Sequence, residues 1–94
     1  MVDPINIILD AAAFYKVVRE DLQLEWDPHV RISEEEILFE WIDGVTHAIV
    51  SIDGEGTYGY AMLSDEGTFC PGAVNNPPVN TMPDDLRIYI EENT

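Results

Sequence analysis

Apolar residues recur at steps of three and four over the first part of the chain, which is the spacing of one helix face. Asp3 offers an N-cap, and Pro4 suits the first helical position, where its missing N–H costs nothing. The pattern predicts a helix over residues 4–21. Its buried stripe is expected to consist of Ile8, Ala11, Tyr15, Val18 and Leu22, with Ile7 and Phe14 at the flanks.

The helical spacing ends before Pro28, because proline disfavours helical backbone at the residue that precedes it. Residues 22–29 are expected to form a connector that Trp26 anchors. From residue 30 onward the apolar period changes to two, which is the alternation of a half-buried strand. The pattern predicts an antiparallel meander of three to five strands over residues 30–70.

Glycine-containing turns set the predicted strand register. The first is Asp43-Gly44, typical of a two-residue hairpin turn between apolar runs. The second is residues 53–56, and a third at residues 64–67 precedes a short strand over 68–70. The cross-strand pairs that these turns predict include Trp41 with Thr46, Phe39 with Ala48, Val50 with Gly59, and Ile52 with Thr57.

The predicted register assigns the side chains to two faces of the sheet. The face expected to take the helix contains Ile37, Phe39, Trp41, Ala48, Val50, Ile52, Gly59, Ala61, Leu63 and Cys70. The opposite face is expected to contain Glu36, Leu38, Glu40, Ile42, His47, Ile49, Tyr58, Tyr60 and Met62. This second face is too apolar for a plain solvated surface, so we expect it to contact a partner.

The C-terminal part of the chain has a loop followed by one more element. Residues 71–82 have a loop composition. Thr81 as a cap, followed by two acids, predicts a short helix over residues 83–92. Apolar residues in that run also alternate, so a strand is the alternative. The predicted fold is therefore a single α+β domain over residues 1–94, with the first helix packed on one face of the meander.

The strongly negative net charge limits the kinds of partner that the protein can bind. The 94 residues include 19 acidic and 4 basic ones, for a net charge of −15, and none of the basic residues lies between residues 32 and 86. Such a field repels nucleic acid and anionic lipid and attracts a basic protein. The chain has no run long enough to span a membrane and no export signal, so we expect cytoplasmic residence. The candidate partner-binding residues are Glu34, Glu35, Glu36, Glu40, Asp43, Asp53, Glu55, Tyr58, Tyr60, Asp65 and Glu66.

Catalysis, metal binding and cofactor binding are not expected. Nucleophilic catalysis needs a nucleophile, a base and an orienting group, whereas His29 lies in the connector and a contact between His47 and Glu40 across two strands accounts for the other histidine. Cys70, the single cysteine, is expected to be a small buried hydrophobe. The carboxylates of residues 53–56 lack the spacing of a calcium loop.

The segments Phe39–Trp41 and Ile52–Tyr58, within residues 36–63, resemble a pattern in small bacterial and phage proteins of unassigned function, in which a helix precedes an antiparallel meander. In size and charge, the chain also resembles the small acidic proteins with which phages and mobile elements block restriction or CRISPR machinery. The first resemblance implies the fold and no activity, and the second is one of class and names no residue.

Three functions remain from the sequence. The first is an acidic inhibitor, such as an anti-CRISPR or anti-restriction protein, that mimics nucleic acid and binds a basic nucleic-acid-binding surface in the host cytoplasm. The second is an immunity protein or antitoxin that neutralises a basic toxin. The third is a structural homodimer formed through the apolar face, with acids that maintain solubility or suit high salt.

Overall fold

The computed structural model describes residues 4–22, 28–43, 46–64 and 66–92. In chain order its elements are α1 (Pro4–Leu22), β1 (His29–Ile32), β2 (Ile37–Asp43), β3 (Thr46–Ile52), β4 (Tyr58–Leu63), β5 (Phe69–Pro71) and α2 (Asp84–Glu92). The five strands form one antiparallel sheet in sequential order. The predicted α+β fold is confirmed, and the C-terminal element is a helix. The cap at Asp3 and the anchor at Trp26 fall outside the described residues.

Both helices pack on the same face of the sheet, and the core lies between them and the strands. Phe14 of α1 is fully buried, and its ring centroid lies 4.8 Å from that of Tyr58 and 5.2 Å from that of Phe39. Aromatic side chains bury more apolar area than any others, so this cluster positions α1 over the sheet. The buried set comprises Ile7, Ala11, Phe14, Val18, Ile37, Phe39, Trp41, Ala48, Val50, Ile52, Tyr58, Tyr60, Val79, Leu86 and Ile90.

The buried stripe of α1 differs from the predicted one by a rotation of the helix. Ala11 and Val18 are buried as predicted, but Ile8 is 60% exposed and Tyr15 is 38% exposed. Leu22, the last residue of the predicted stripe, is also the last residue of the helix. Two stripes with helical spacing overlap on this helix, and the one that contains Phe14 buries a ring without a polar group, while the Tyr15 side chain stays partly exposed.

The register of β2 and β3 differs from the predicted one by two residues. Asp43 is a strand residue that pairs with Thr46, so Trp41 lies opposite Ala48 and Ile37 lies opposite Ile52. A small residue opposite Trp41 leaves room for the indole ring in the core. Because side chains alternate with a period of two, this shift leaves every residue of the two strands on its predicted face.

The register of β3 and β4 differs from the predicted register by one residue, which moves the side chains of β4 to the face opposite the predicted one. Ile52 pairs with Tyr58, and the connection between them includes Thr57, which instead forms a bridge with Pro78. The N–H of Tyr58 donates to the Pro77 carbonyl, which holds this bridge in place. The predicted inner set Gly59, Ala61 and Leu63 is therefore wrong, and Tyr58, Tyr60 and Met62 take those positions.

The segment after β5 contributes to the core, which its loop composition did not predict. Val79 is 8% exposed and packs with the buried cluster. Thr81 does not cap α2, because its hydroxyl donates to the Pro78 carbonyl and the helix begins at Asp84. Cys70 is exposed on the outermost strand β5, so its predicted burial is wrong.

Candidate protein-interaction surface

The face of the sheet opposite the helices is apolar, and neither helix packs on it. We call this surface the open face. Ile42 and Phe69 are 50% and 46% exposed on it. By strand alternation, its apolar residues are Leu38, Ile42, Ile49, Ala61, Leu63 and Phe69. An exposed apolar patch with polar residues at its border is typical of a protein-interaction site.

A buried carboxylate lies within the open face. Glu40 is 6% exposed although it lies on the side of the sheet away from the helices. Its Oε1 lies 3.3 Å from Nη1 of Arg31, and its Oε2 lies 3.4 Å from Nε2 of His47. Nε2 makes no hydrogen bond within the described residues, so its contact with Glu40 is close but is not a hydrogen bond. The predicted contact between His47 and Glu40 is present, but across a diagonal, because His47 pairs with Ile42.

Glu40 and the two residues that contact it lie on three adjacent strands of the sheet. Arg31 lies on β1, Glu40 on β2 and His47 on β3, and the His47 ring meets the Phe69 ring edge-on with centroids 4.8 Å apart. Glu40 is therefore held by neighbours within this chain, and it is less accessible to a partner than the sequence suggested.

Five of the predicted carboxylates gather at one end of the sheet. In a meander, the β1–β2 and β3–β4 connections lie at the same end. The first connection carries Glu34, Glu35 and Glu36, and the second carries Asp53 and Glu55. We call these five residues the acidic end. All except Glu36 are exposed.

Glu36 joins the acidic end to the open face. Its Oε2 accepts a hydrogen bond of 2.6 Å from the hydroxyl of Ser51, which lies on β3 opposite Leu38. The turn before β2 is closed by three hydrogen bonds between Ser33 and Glu36, one of them from the N–H of Ser33 to the Glu36 carbonyl. The carboxylate of Glu36 is thus held at the border of the apolar surface.

Among the remaining predicted acids, Glu66 does not join this group. Asp43 ends β2 at the opposite end of the sheet, and its side chain and Asp65 fall outside the described part of the structure. Glu66 is exposed in the β4–β5 connection, which also lies at the opposite end. The structure therefore separates Glu66 from the acidic end.

Tyr58 and Tyr60 are not part of any exposed surface, which corrects the prediction that they anchor a partner. They are 2% and 8% exposed, on the face that carries the helices. The Tyr58 hydroxyl donates to the Thr81 carbonyl at 2.7 Å. Burial, with smaller contributions from Tyr60 and Asp85, raises the pKa of Tyr58. Both tyrosines are therefore core residues whose hydroxyls bind the C-terminal segment.

The Tyr60 hydroxyl is the centre of a hydrogen-bonded contact with α2. It donates to Oδ1 of Asp85 at 2.7 Å and accepts from the N–H of Val74 at 3.1 Å, while Oδ2 of Asp85 accepts from the N–H of Ala73 at 2.8 Å. Burial raises the pKa of Tyr60, and the bond to Asp85 adds to that effect. Burial by itself raises the pKa of Asp85, but the hydrogen bonds from Ala73, Tyr60 and Leu86 outweigh burial, so the pKa is lowered.

Sequence reasoning missed the apolar members of the open face that β4 and β5 contribute. Leu63 and Phe69 were assigned elsewhere or not assigned, because the register of β4 was wrong by one residue. Arg31 was also missed, although the alternation of polar and apolar residues along His29–Ile32 was a signal that could have placed it on the same face as Leu38.

Comparison with family models, with curated proteins and with solved structures finds no match for this chain. Among the described side chains, no three His, Cys, Asp or Glu residues come together in a way that could hold a metal ion. Within the same residues, neither helix combines the length and the apolar run that crossing a membrane requires.

Proposed function

We propose that this protein acts by binding, and that the open face and the acidic end dock together on a basic surface of another protein. The observation that carries the proposal is the juxtaposition of the two: an apolar sheet face that neither helix covers, bordered by five carboxylates from two adjacent turns. Apolar area supplies affinity once it is desolvated, and carboxylates select a cationic partner.

The charge of the chain supports a basic partner. A net charge of −15 on 94 residues steers a cationic surface toward the molecule and accelerates encounter. At the acidic end, exposed carboxylates such as Glu34 and Glu55 can form charge-assisted hydrogen bonds with arginine and lysine. The basic surfaces that best match a row of carboxylates are those that bind phosphates, so we propose a nucleic-acid-binding protein as the partner.

Bound in this way, the protein would act as an inhibitor. Its carboxylates would occupy the lysine and arginine side chains that otherwise contact the phosphates, and nucleic acid would be excluded by competition. This is the action of an anti-restriction or anti-CRISPR protein, and it requires no catalytic group. The expected site of action is the cytoplasm, where such partners work.

Charge reversal at the acidic end tests the electrostatic part. Protein immobilised as bait captures partners from a cell lysate at low salt, and a salt gradient elutes them. Glu34→Lys combined with Glu55→Lys should elute the partner at lower salt, because two carboxylates have become repulsive. The matched control is Glu20→Lys combined with Glu92→Lys, which changes the net charge equally on exposed helix positions. Equal shifts for both variants would refute a localised site.

A second pair of variants tests the apolar part. Ile42 is 50% exposed on the open face, and Leu9 is 60% exposed on α1. Ile42→Asp should weaken binding of the captured partner by more than about tenfold, because it places a charge in a desolvated contact. Leu9→Asp introduces the same charge on the helix layer and should leave binding unchanged. The reverse order would place the docking surface on the helices.

A further inference from the structure

A second apolar surface lies at the other side of the molecule, between α1 and the outermost strand β1. It is a groove of ≈ 440 Å³ with Ile8 and Tyr15 on one wall and Val30 and Ile32 on the other. Ile8 is 60% exposed, and Ile32 is 78% exposed. Aliphatic side chains this exposed on an edge strand are what natural sheets usually avoid, because they invite pairing with another chain.

The backbone of β1 is oriented for such pairing. The N–H of Ser33 donates to the Glu36 carbonyl of the neighbouring strand's turn. Backbone groups of an antiparallel strand alternate in direction, so Val30 and Ile32 direct their N–H and C=O groups away from β2. The same two residues thus present apolar side chains to the groove and backbone groups to the outer edge.

Charge indicates what can occupy this groove. Residues 1–33 contain six acids and three bases, a net charge of −3, whereas residues 34–94 carry the other −12. A basic partner is therefore attracted more strongly to the rest of the chain. An acidic molecule, such as another copy of this chain, meets the least repulsion here.

We infer that a second copy of this chain occupies the groove, with the two β1 strands paired antiparallel across a two-fold axis perpendicular to the sheet. This symmetry keeps the helices of both copies on one side of a continuous sheet. The two grooves then face each other, and Ile8, Val30 and Ile32 of each copy bury one another. The inference rests on the groove and on strand β1, and of the residues in the proposed function it uses only Glu34.

The antiparallel arrangement also matches opposite charges. The groove is continuous with a second hollow that Ile8, Ile32 and Glu34 line, so Glu34 marks one end of it. Pro28 and Tyr15 line the other end, and Arg19 follows Tyr15 by one helical turn. A two-fold axis places the Glu34 end of one copy beside the Arg19 end of the other, which favours this pairing over a parallel one.

Sedimentation velocity over a range of protein concentrations tests the inference. We expect a monomer–dimer equilibrium that tightens from low salt to about 1 M salt, where the Debye length falls to about 3 Å and repulsion between the acidic bodies is screened. Ile32→Glu and Ile8→Glu should each weaken the dimer by more than about tenfold. Ile42→Glu on the open face and Leu9→Glu on the far side of α1 are matched controls that should leave it intact, and circular dichroism confirms that each variant folds.

Each other outcome overturns the inference. A monomer at up to about 1 mM protein in high salt shows that no second copy binds. A dimer lost in Ile42→Glu and kept in Ile32→Glu places the interface on the open face, and a dimer that survives all four substitutions places it elsewhere. Capture of a basic partner weakens with salt whereas this dimer strengthens, so the two proposals can fail independently.

Discussion

Replacing Tyr60 by phenylalanine removes one hydroxyl that connects β4, the segment after β5, and α2. The hydroxyl donates to Asp85 at 2.7 Å and accepts from Val74 at 3.1 Å, and Tyr60 is 8% exposed. The variant retains the aromatic ring, so the packing against Tyr58 is kept and only the two hydrogen bonds are lost.

The size of the effect follows from these two bonds. A hydrogen bond to a charged group contributes about 1.5–3 kcal/mol, and a neutral one about 0.5–1.5 kcal/mol. Val74 is 46% exposed, so water can replace the second bond at little cost. We therefore expect Tyr60→Phe to lower the free energy of unfolding by about 2 kcal/mol at neutral pH.

The stability lost in Tyr60→Phe should become smaller as the pH falls into the acidic range. The pKa of Asp85 is lowered in the folded protein, so its ionised form stabilises the fold above the unfolded-state pKa of about 3.9. That stabilisation disappears as the pH falls through the lower folded pKa. Because the Tyr60 hydroxyl is one cause of the lowering, the difference between wild type and Tyr60→Phe should shrink over this acidic window.

Urea unfolding followed by tryptophan fluorescence at neutral and acidic pH measures both effects. Tyr15→Phe is the matched control, because Tyr15 is 38% exposed and the same hydroxyl is lost at a solvated position. The control should stay within about 0.5 kcal/mol of wild type. The reasoning fails if Tyr60→Phe is equally neutral, or if its effect is the same at both pH values.

Three further substitutions test the packing, each by thermal or urea unfolding. Gly72→Ala should cost about 1–3 kcal/mol, because a Cβ there would clash with the ring of Tyr60, and a neutral result would refute that close approach. Gly56→Ala should cost about 1–2 kcal/mol from backbone strain alone, since its φ is +84° with nothing within 4 Å, whereas Gly59→Ala should be near neutral. Glu40→Ala should cost about 1 kcal/mol through lost contacts with Arg31 and His47, and an increase in stability would contradict their role.

The faces of β2 and β3 could be predicted although their register could not. The Asp43-Gly44 signal placed the turn one residue too early, so the predicted pairs were wrong by two. A shift of two preserves the alternation, and Trp41 and Ala48 are both in the core as expected. Local sequence therefore determines which side chains are inward more reliably than which residues pair.

The face of β4 could not be predicted, because its cause is a distant contact. Thr57 bridges Pro78, about twenty residues away in the sequence, and this lengthens the connection after Ile52 by one residue. No periodicity within residues 53–63 carries that information. The error moved Tyr58 and Tyr60 to the wrong face and so removed two candidate anchors from the site.

The prediction that the carboxylates of the acidic end share one end of the sheet did not depend on the strand register. These carboxylates lie in the connections between strands, and a connection stays at its end of the sheet whether the register shifts by one residue or two. Sequence therefore predicts which charges share an end. The rotation of α1 is a different case, because the stripes that contain Ile8 and Phe14 have the same spacing and only packing against the sheet distinguishes them.

The most direct test of the account is an amide chemical-shift map of this protein with and without the basic partner recovered by capture. We expect perturbed amides to concentrate in the β1–β2 and β3–β4 connections and along β2, β3 and β4, with the exposed faces of α1 and α2 unaffected. Perturbations confined to the two helices would contradict the assignment of the open face and the acidic end as the binding surface.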